Sequence, residues 1–146
     1  MAKINPYITF NGNCEEAFTF YNHAFESQSL ELMRYKDMPP AEGCEISAEE
    51  GQKVMHACLK ISDGFYLMGA DSSDAFGRAS IIGDNISISI NADSREDADR
   101  LFNSLSAGGK VTMPMEVTFW GAYFGMFTDK FAINWMVNYD ENPQQK

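Results

Sequence analysis

Two stretches of this chain, ITFNGNCEEAFTFYNHAF from Ile8 and ISINADSREDADRLFNSL from Ile88, pass in the same order through an extended run, a capping signal and an amphipathic helix. A chain built this way is limited to two small modules. Neither is large enough to bury a sheet face comfortably alone, so both are expected inside one domain spanning residues 1–146. Asn13 followed by Glu16, and Asp93 followed by Glu96, have the spacing of capping boxes, in which the first side chain accepts from open helical N–H groups and the acid reaches back. The apolar stripes agree in kind. Ala17, Phe20, Tyr21, Ala24 and Phe25 line one face of the first helix, and Ala98, Leu101, Phe102 and Leu105 one face of the second. The boxes are 80 residues apart and the stripes 81, so the repeat carries a one-residue slip.

Each helix is followed by extended runs: SLELMRY (29–35), VMHACLKI (54–61) and FYLMGA (65–70) in the first half, KVTMPM (110–115), VTFWGAYFGMFT (117–128) and FAINWMVNY (131–139) in the second. The predicted order is therefore β-α-β-β-β, twice, with module 1 over about residues 1–71, module 2 over about 84–140, and 71–84 as the link. Gly64 marks a turn between two strands of module 1, and Gly108 with Gly109 ends the second helix. Residues 36–53, with two prolines and five acids but no apolar period, read as a surface excursion.

Charge and composition exclude several classes of partner. Eleven basic against 21 acidic residues give a formal charge of −10, and no basic cluster offsets it, which argues against nucleic acid. No apolar run is long enough to span a bilayer, and MAKINPYITFNGN lacks the pattern of a signal peptide, so a cytoplasmic chain without membrane contact is expected. Cys14, Cys44 and Cys58 are widely spaced and are read as reduced thiols rather than a zinc site or disulfide framework.

The doubled order together with PYITFNGNCEEAFTFY, HACLKISDGFYLMGAD, TFWGAYFG and TDKFAINWMVNY resembles the vicinal oxygen chelate superfamily, and within it the PhnB-like branch, related to glyoxalase I, bleomycin-resistance and extradiol dioxygenase proteins. The motifs that carry it are His56, Asp71, and the run through Phe119, Trp120, Gly125, Asp129, Phe131 and Trp135. The resemblance implies an α+β fold of two βαβββ modules, whose curved sheets form a cup with the helices outside, and it implies a homodimer. Where the family usually has glycine this chain has Ala132, which predicts a less tightly bent turn after Asp129. The metal-dependent members hold their ion with four ligands, typically His and Glu. Carried onto this sequence strand by strand, those positions fall at Pro6, at Leu67 or Met68, at Asn85 and at Asn134. Proline, an aliphatic chain and two amides supply neither basic donors nor negative charge, so no metal and no other cofactor is expected.

The residues left for chemistry are few. His56 and Cys58, two apart on a strand, share a face opposite the apolar Met55, Ala57, Leu59 and Ile61. His56 can contact a ligand, act as acid or base, or be a satisfied buried histidine, while Cys58 reads as packing. Asp71 and Asp129 lie at strand ends, where carboxylates accept backbone N–H bonds. Glu116 interrupts an apolar run and is open to either an acid/base role or an exposed edge position. The sequence reading that results is a small-molecule-binding protein for an apolar or aromatic ligand, contacted by His56, Trp120, Phe124, Asn134, Met136 and Asn85. Its alternative is an enzyme of the same superfamily (lyase, isomerase or dioxygenase) with a relocated site at His56, Asp71 and Glu116. A third reading follows the 3-demethylubiquinone methyltransferase label often attached to such sequences, and is disfavoured because no glycine-rich strand-to-helix turn for S-adenosylmethionine is present.

Overall fold

A computed structural model of the chain describes residues 2–38, 46–73 and 79–141. Cys44 lies outside them. The chain divides into two compact units, Met1–Ile81 and Ile82–Lys146.

The first unit holds β1 (Tyr7–Phe10), α1 (Cys14–Phe25), β2 (Leu30–Arg34), a 3-10 turn at Tyr35–Asp37, a single helical turn α2 (Ala48–Gly51), β3 (Val54–Ser62) and β4 (Phe65–Asp71). The second holds β5 (Ser87–Asn91), α3 (Arg95–Ser106), β6 (Lys110–Val117), β7 (Ala122–Thr128) and β8 (Asn134–Asp140). The strand orders are β1-β4-β3-β2 and β5-β8-β7-β6. In each sheet the first strand pairs parallel with the last, and the other pairs are antiparallel. The duplication expected from the sequence is thus present in topology as well as in pattern, and α+β is the fold class. Both long helices have 12 residues. Their starts, Cys14 and Arg95, are 81 residues apart, so the slip belongs to the expected capping boxes and not to the repeat.

Each helix covers one face of its own sheet. Ala17, Phe18, Tyr21 and Ala24 are buried on α1, and Ala98, Leu101, Phe102 and Leu105 on α3. Phe18 takes a buried place the sequence stripe did not give it, with Phe20 and Phe25 left half-buried. Under each helix one strand position must be glycine. A Cβ on Gly69 of β4 would stand 2.7 Å from Phe18 Cε2, and one on Gly125 of β7 would stand 2.8 Å from Phe102 Cε2, closer than carbon atoms approach without displacing a ring. The helix-facing strand positions Ala57, Leu59 and Leu67 complete the first core, and Phe127, Trp135 and Val137 the second.

Three local expectations change. The run 117–128 is not one strand, because Thr118 to Gly121 form a turn closed by Gly121 N–H donating to the Thr118 carbonyl, with Gly121 at φ 89°. Residues 36–53 contain α2, whose first turn is capped by Ser47 Oγ accepting from Glu50 N–H. The turn after Asp129 is tight despite the missing glycine. Ala132 itself takes a left-handed φ of 69°, its N–H donates to the Asp129 carbonyl, and Asp129 N–H donates to the Ile133 carbonyl.

Candidate functional site

Strand alternation divides each sheet into a helix-facing side and a side turned away from the helix, and the candidate residues sort onto these sides unit by unit. In the second unit, Phe124 and Met126 of β7 and Asn134, Met136 and Asn138 of β8 alternate with the buried Gly125, Phe127, Trp135 and Val137. They therefore stand on the side away from α3. Met126 lies directly across from Met136, and Thr128 across from Asn134. Trp120 comes from the β6–β7 turn, not from a strand. Its ring still meets Phe124 edge-on, 6.3 Å between centroids, with 54% of the residue exposed. Phe119 packs against Trp120 at 5.0 Å and is itself 97% exposed. Glu116 is exposed and sits across from Phe124 at the outer strand of the sheet. Asn85 is exposed and precedes β5, two residues before Ser87, the partner of Asn134.

Asn134 is held at both ends of its amide. Its Oδ1 accepts from Thr128 Oγ1 at 2.7 Å, and its Nδ2 donates to the Ile86 carbonyl at 3.3 Å. A neutral amide here links β7, β8 and the approach to β5, which accounts for a polar side chain at the start of the strand. Pro6 and Met68 are neighbours in the first unit, where Met68 N–H donates to the Pro6 carbonyl at 3.0 Å. The four positions to which the resemblance assigns a chelating set thus supply a proline, an aliphatic or thioether side chain and two amides, one of them already bonded. Among the described residues no group of three or more His, Cys, Asp and Glu side chains could hold a metal ion. The residues present do not fit the superfamily's divalent cation.

In the first unit, His56 and Cys58 of β3 stand half-buried on the side away from α1, alternating with buried Ala57 and Leu59. Tyr7, a residue the sequence reading passed over, brings its hydroxyl within 3.4 Å of His56 Nδ1, with the two rings 5.9 Å apart. Burial, with the Cys14 thiol nearby, pushes the Tyr7 phenol above its usual range. Burial and then Glu31 push the Cys58 thiol up as well. No sequence pattern announces Tyr7, since it meets His56 only through the parallel pairing of β1 with β4.

Asp71 lies on the other side of the same sheet and is 3% exposed. One carboxylate oxygen accepts from Gly12 N–H and Cys14 N–H at 3.1 and 2.9 Å, and the other accepts from Val54 N–H at 2.9 Å. Its main-chain carbonyl accepts from Tyr35 Oη at 2.8 Å. The group ties the start of α1, the start of β3 and the end of β2 together. Beside it, burial, Asp71 and Glu15 drive the Cys14 thiol up to about 12, so that thiol stays protonated. Asp129 works in the same manner in the second unit, accepting from Phe131 N–H and Ile133 N–H through one oxygen and from Trp135 Nε1 through the other. His56 and Asp71 are on opposite sides of their sheet, so the structure does not bring those two members of the relocated enzyme site together.

The family model described as 3-demethylubiquinone-9 3-methyltransferase matches residues 2–138. The chain belongs to this PhnB-like family. The Escherichia coli protein YjdN is similar to it, 31% identical over 141 residues that cover 92% of this chain and 93% of YjdN. The crystal structure of PA1353 from Pseudomonas aeruginosa is 44% identical, with a TM-score of 0.77, covering 96% of this chain and 98% of that one. A Bacillus cereus PhnB protein, described as a putative 3-demethylubiquinone-9 3-methyltransferase, is 24% identical with a TM-score of 0.67, covering 94% and 99%. The PhnB-like fold is the doubled βαβββ arrangement shared with glyoxalase, bleomycin-resistance and dioxygenase proteins. The methyltransferase description belongs to the family. In this chain neither sheet is the doubly wound parallel sheet whose glycine-rich turn holds a nucleotide-derived cofactor.

Proposed function

We propose that this PhnB-like protein binds a small apolar or aromatic molecule on the side of the second sheet turned away from α3, without the metal that its superfamily uses. The observation that carries the reading is the row of Trp120, Phe124, Met126 and Met136 on that side, beside the bonded amide of Asn134. Aromatic rings supply flat apolar area and thioethers adapt to the shape of what they meet, while Asn134 and Asn85 supply polar atoms that orient a ligand. Among the described residues no helix is long and apolar enough to cross a membrane.

A homodimer accompanies this reading. β6 is the outer strand of its sheet and exposed along nearly its whole length, with Val111, Met113 and Val117 open. An apolar edge of that length invites pairing, and a second copy covers it.

Metal analysis of protein purified under native conditions, with a thermal-shift titration of Mn, Fe, Ni and Zn, tests the metal part of the reading. No stoichiometric metal and no shift are expected. Stoichiometric zinc or iron lost on Asn134→Ala sinks it. The ligand part is tested with a naphthol as probe. The naphthol raises the melting temperature, and Trp120→Ala weakens its binding about tenfold, the equivalent of one aromatic contact. Equal binding by the variant rules out this face.

A further inference from the structure

The side of the first sheet away from α1 carries a group of donors that the apolar reading of the second sheet does not use. His56 and Cys58 project together from β3. Cys58 lies directly across from Met68 on β4, and His56 directly across from Met33 on β2. Facing residues on paired strands have Cβ atoms about 5 Å apart, and same-side residues of one strand about 7 Å apart. One imidazole, one thiol and a thioether therefore lie within reach of a common point, with a second thioether on the far side of the imidazole. None is sealed in the core: His56, Cys58 and Met68 are half-buried, and Met33 is 47% exposed.

Two further observations favour a cation there. The Tyr7 hydroxyl sits 3.4 Å from His56 Nδ1, which leaves Nε2 for a ligand and supplies the kind of outer partner that orients a metal-bound imidazole. Glu31 faces Cys58 across the β2–β3 pair, and the chain as a whole carries −10, so the local potential draws cations and repels anions.

We propose that Cys58, Met68 and His56 form a soft-cation site that takes Cu(I), with Met33 able to add a second thioether. Thiolate, thioether and imidazole are the donors that Cu(I) prefers, and it accepts low coordination numbers. Hard divalent ions require several oxygen ligands, whereas this patch offers one carboxylate, Glu31, on the side of Cys58 opposite Met68. On binding, Cys58 gives its thiol proton to solvent and a Cu–S bond replaces the S–H bond. The copper enters and stays as Cu(I), so no electron is transferred. One of the four chelate positions implied by the resemblance falls at Leu67 or Met68, while His56 and Cys58 stand at none of them, so this donor set is distinct from the inherited one. The proposal is independent of ligand binding on the second sheet.

The test is an anaerobic Cu(I) competition against bicinchoninate, using the full chain with Cys44→Ser so that only the thiols discussed here remain. One Cu(I) per chain is expected to transfer from the chelator, and Cu(I) protects Cys58 from iodoacetamide. Cys58→Ser, Met68→Leu and His56→Asn each weaken the affinity at least about tenfold, the usual scale for disturbing a metal's environment. Met55→Leu, one residue from His56 on the same strand, leaves it unchanged. No transfer, or an affinity unaltered by Cys58→Ser or by the conservative Met68→Leu, overturns the proposal. So does Zn(II) bound as tightly as Cu(I).

Discussion

The two modules share an order of elements, a strand topology and a 12-residue helix, yet they begin and end those helices by different chemistry. α3 is capped by its neighbour, Ser94, whose side chain accepts from Asp97 N–H. α1 has Asn13 at the corresponding place, and Asn13 makes no side-chain cap bond. Its first N–H, that of Cys14, goes instead to Asp71, 57 residues downstream. The far ends differ too. The left-handed residue that stops α1 is Glu26, at φ 53°, whereas the residue in that conformation after α3 is Gly108, at φ 76°. One topology therefore tolerates a local solution and a long-range solution to the same requirement, that a helix end must not leave its polar groups unpaired.

The largest expected effect breaks the long-range solution. Asp71→Ala removes the acceptor of three N–H groups at once, two of them buried, and should cost about 3 kcal/mol in urea unfolding, because each donor stranded away from water carries a penalty of its own. A loss below about 1 kcal/mol means that water reaches those groups and that the tie is dispensable. The capping difference itself is smaller. Ser94→Ala should cost about 1 kcal/mol and Asn13→Ala only a few tenths; equal losses would erase the distinction drawn between the modules. Comparably small, and opposite in sign, is Glu26→Gly. It relieves an L-residue of a left-handed backbone and should raise the unfolding midpoint by the equivalent of about 0.5 kcal/mol, the gain being limited by glycine's extra freedom in the unfolded chain.

What the sequence revealed follows the same division between near and far. The doubled order, the stripe of α3 and the glycine stop at Gly108 were legible because each is written in residues a few places apart. Asp71 could be recognised as a strand-end carboxylate accepting N–H bonds, but not as the cap of α1, because its partners lie in three separate segments. The expected boxes at Asn13 and Asp93 fail for related reasons. Asn13 makes no side-chain cap bond, the first helical N–H being met by that distant acid, and one residue past Asp93 stands Ser94, a better-placed acceptor. Trp120 was read onto a strand because an unbroken aromatic run hides a four-residue turn, and only Gly121 hinted at it. At the candidate site, the sequence showed that none of the four positions implied by the resemblance is a His or Glu. The Tyr7–His56 approach and the pairing of Cys58 with Met68 were not, since both depend on strand register.

The position of Asp71 in the chain also sets a timetable for synthesis. A ribosome adding about 5–20 residues per second needs roughly 3 to 11 seconds between delivering Cys14 and delivering the carboxylate that receives its N–H. During that interval α1 has an apolar face and no acceptor for its first turn, whereas Ser94 leaves the ribosome ahead of the helix it caps. Of the two long helices, the one made first is thus the one whose first N–H must wait for its acceptor, although both wait for the later strands on which they pack.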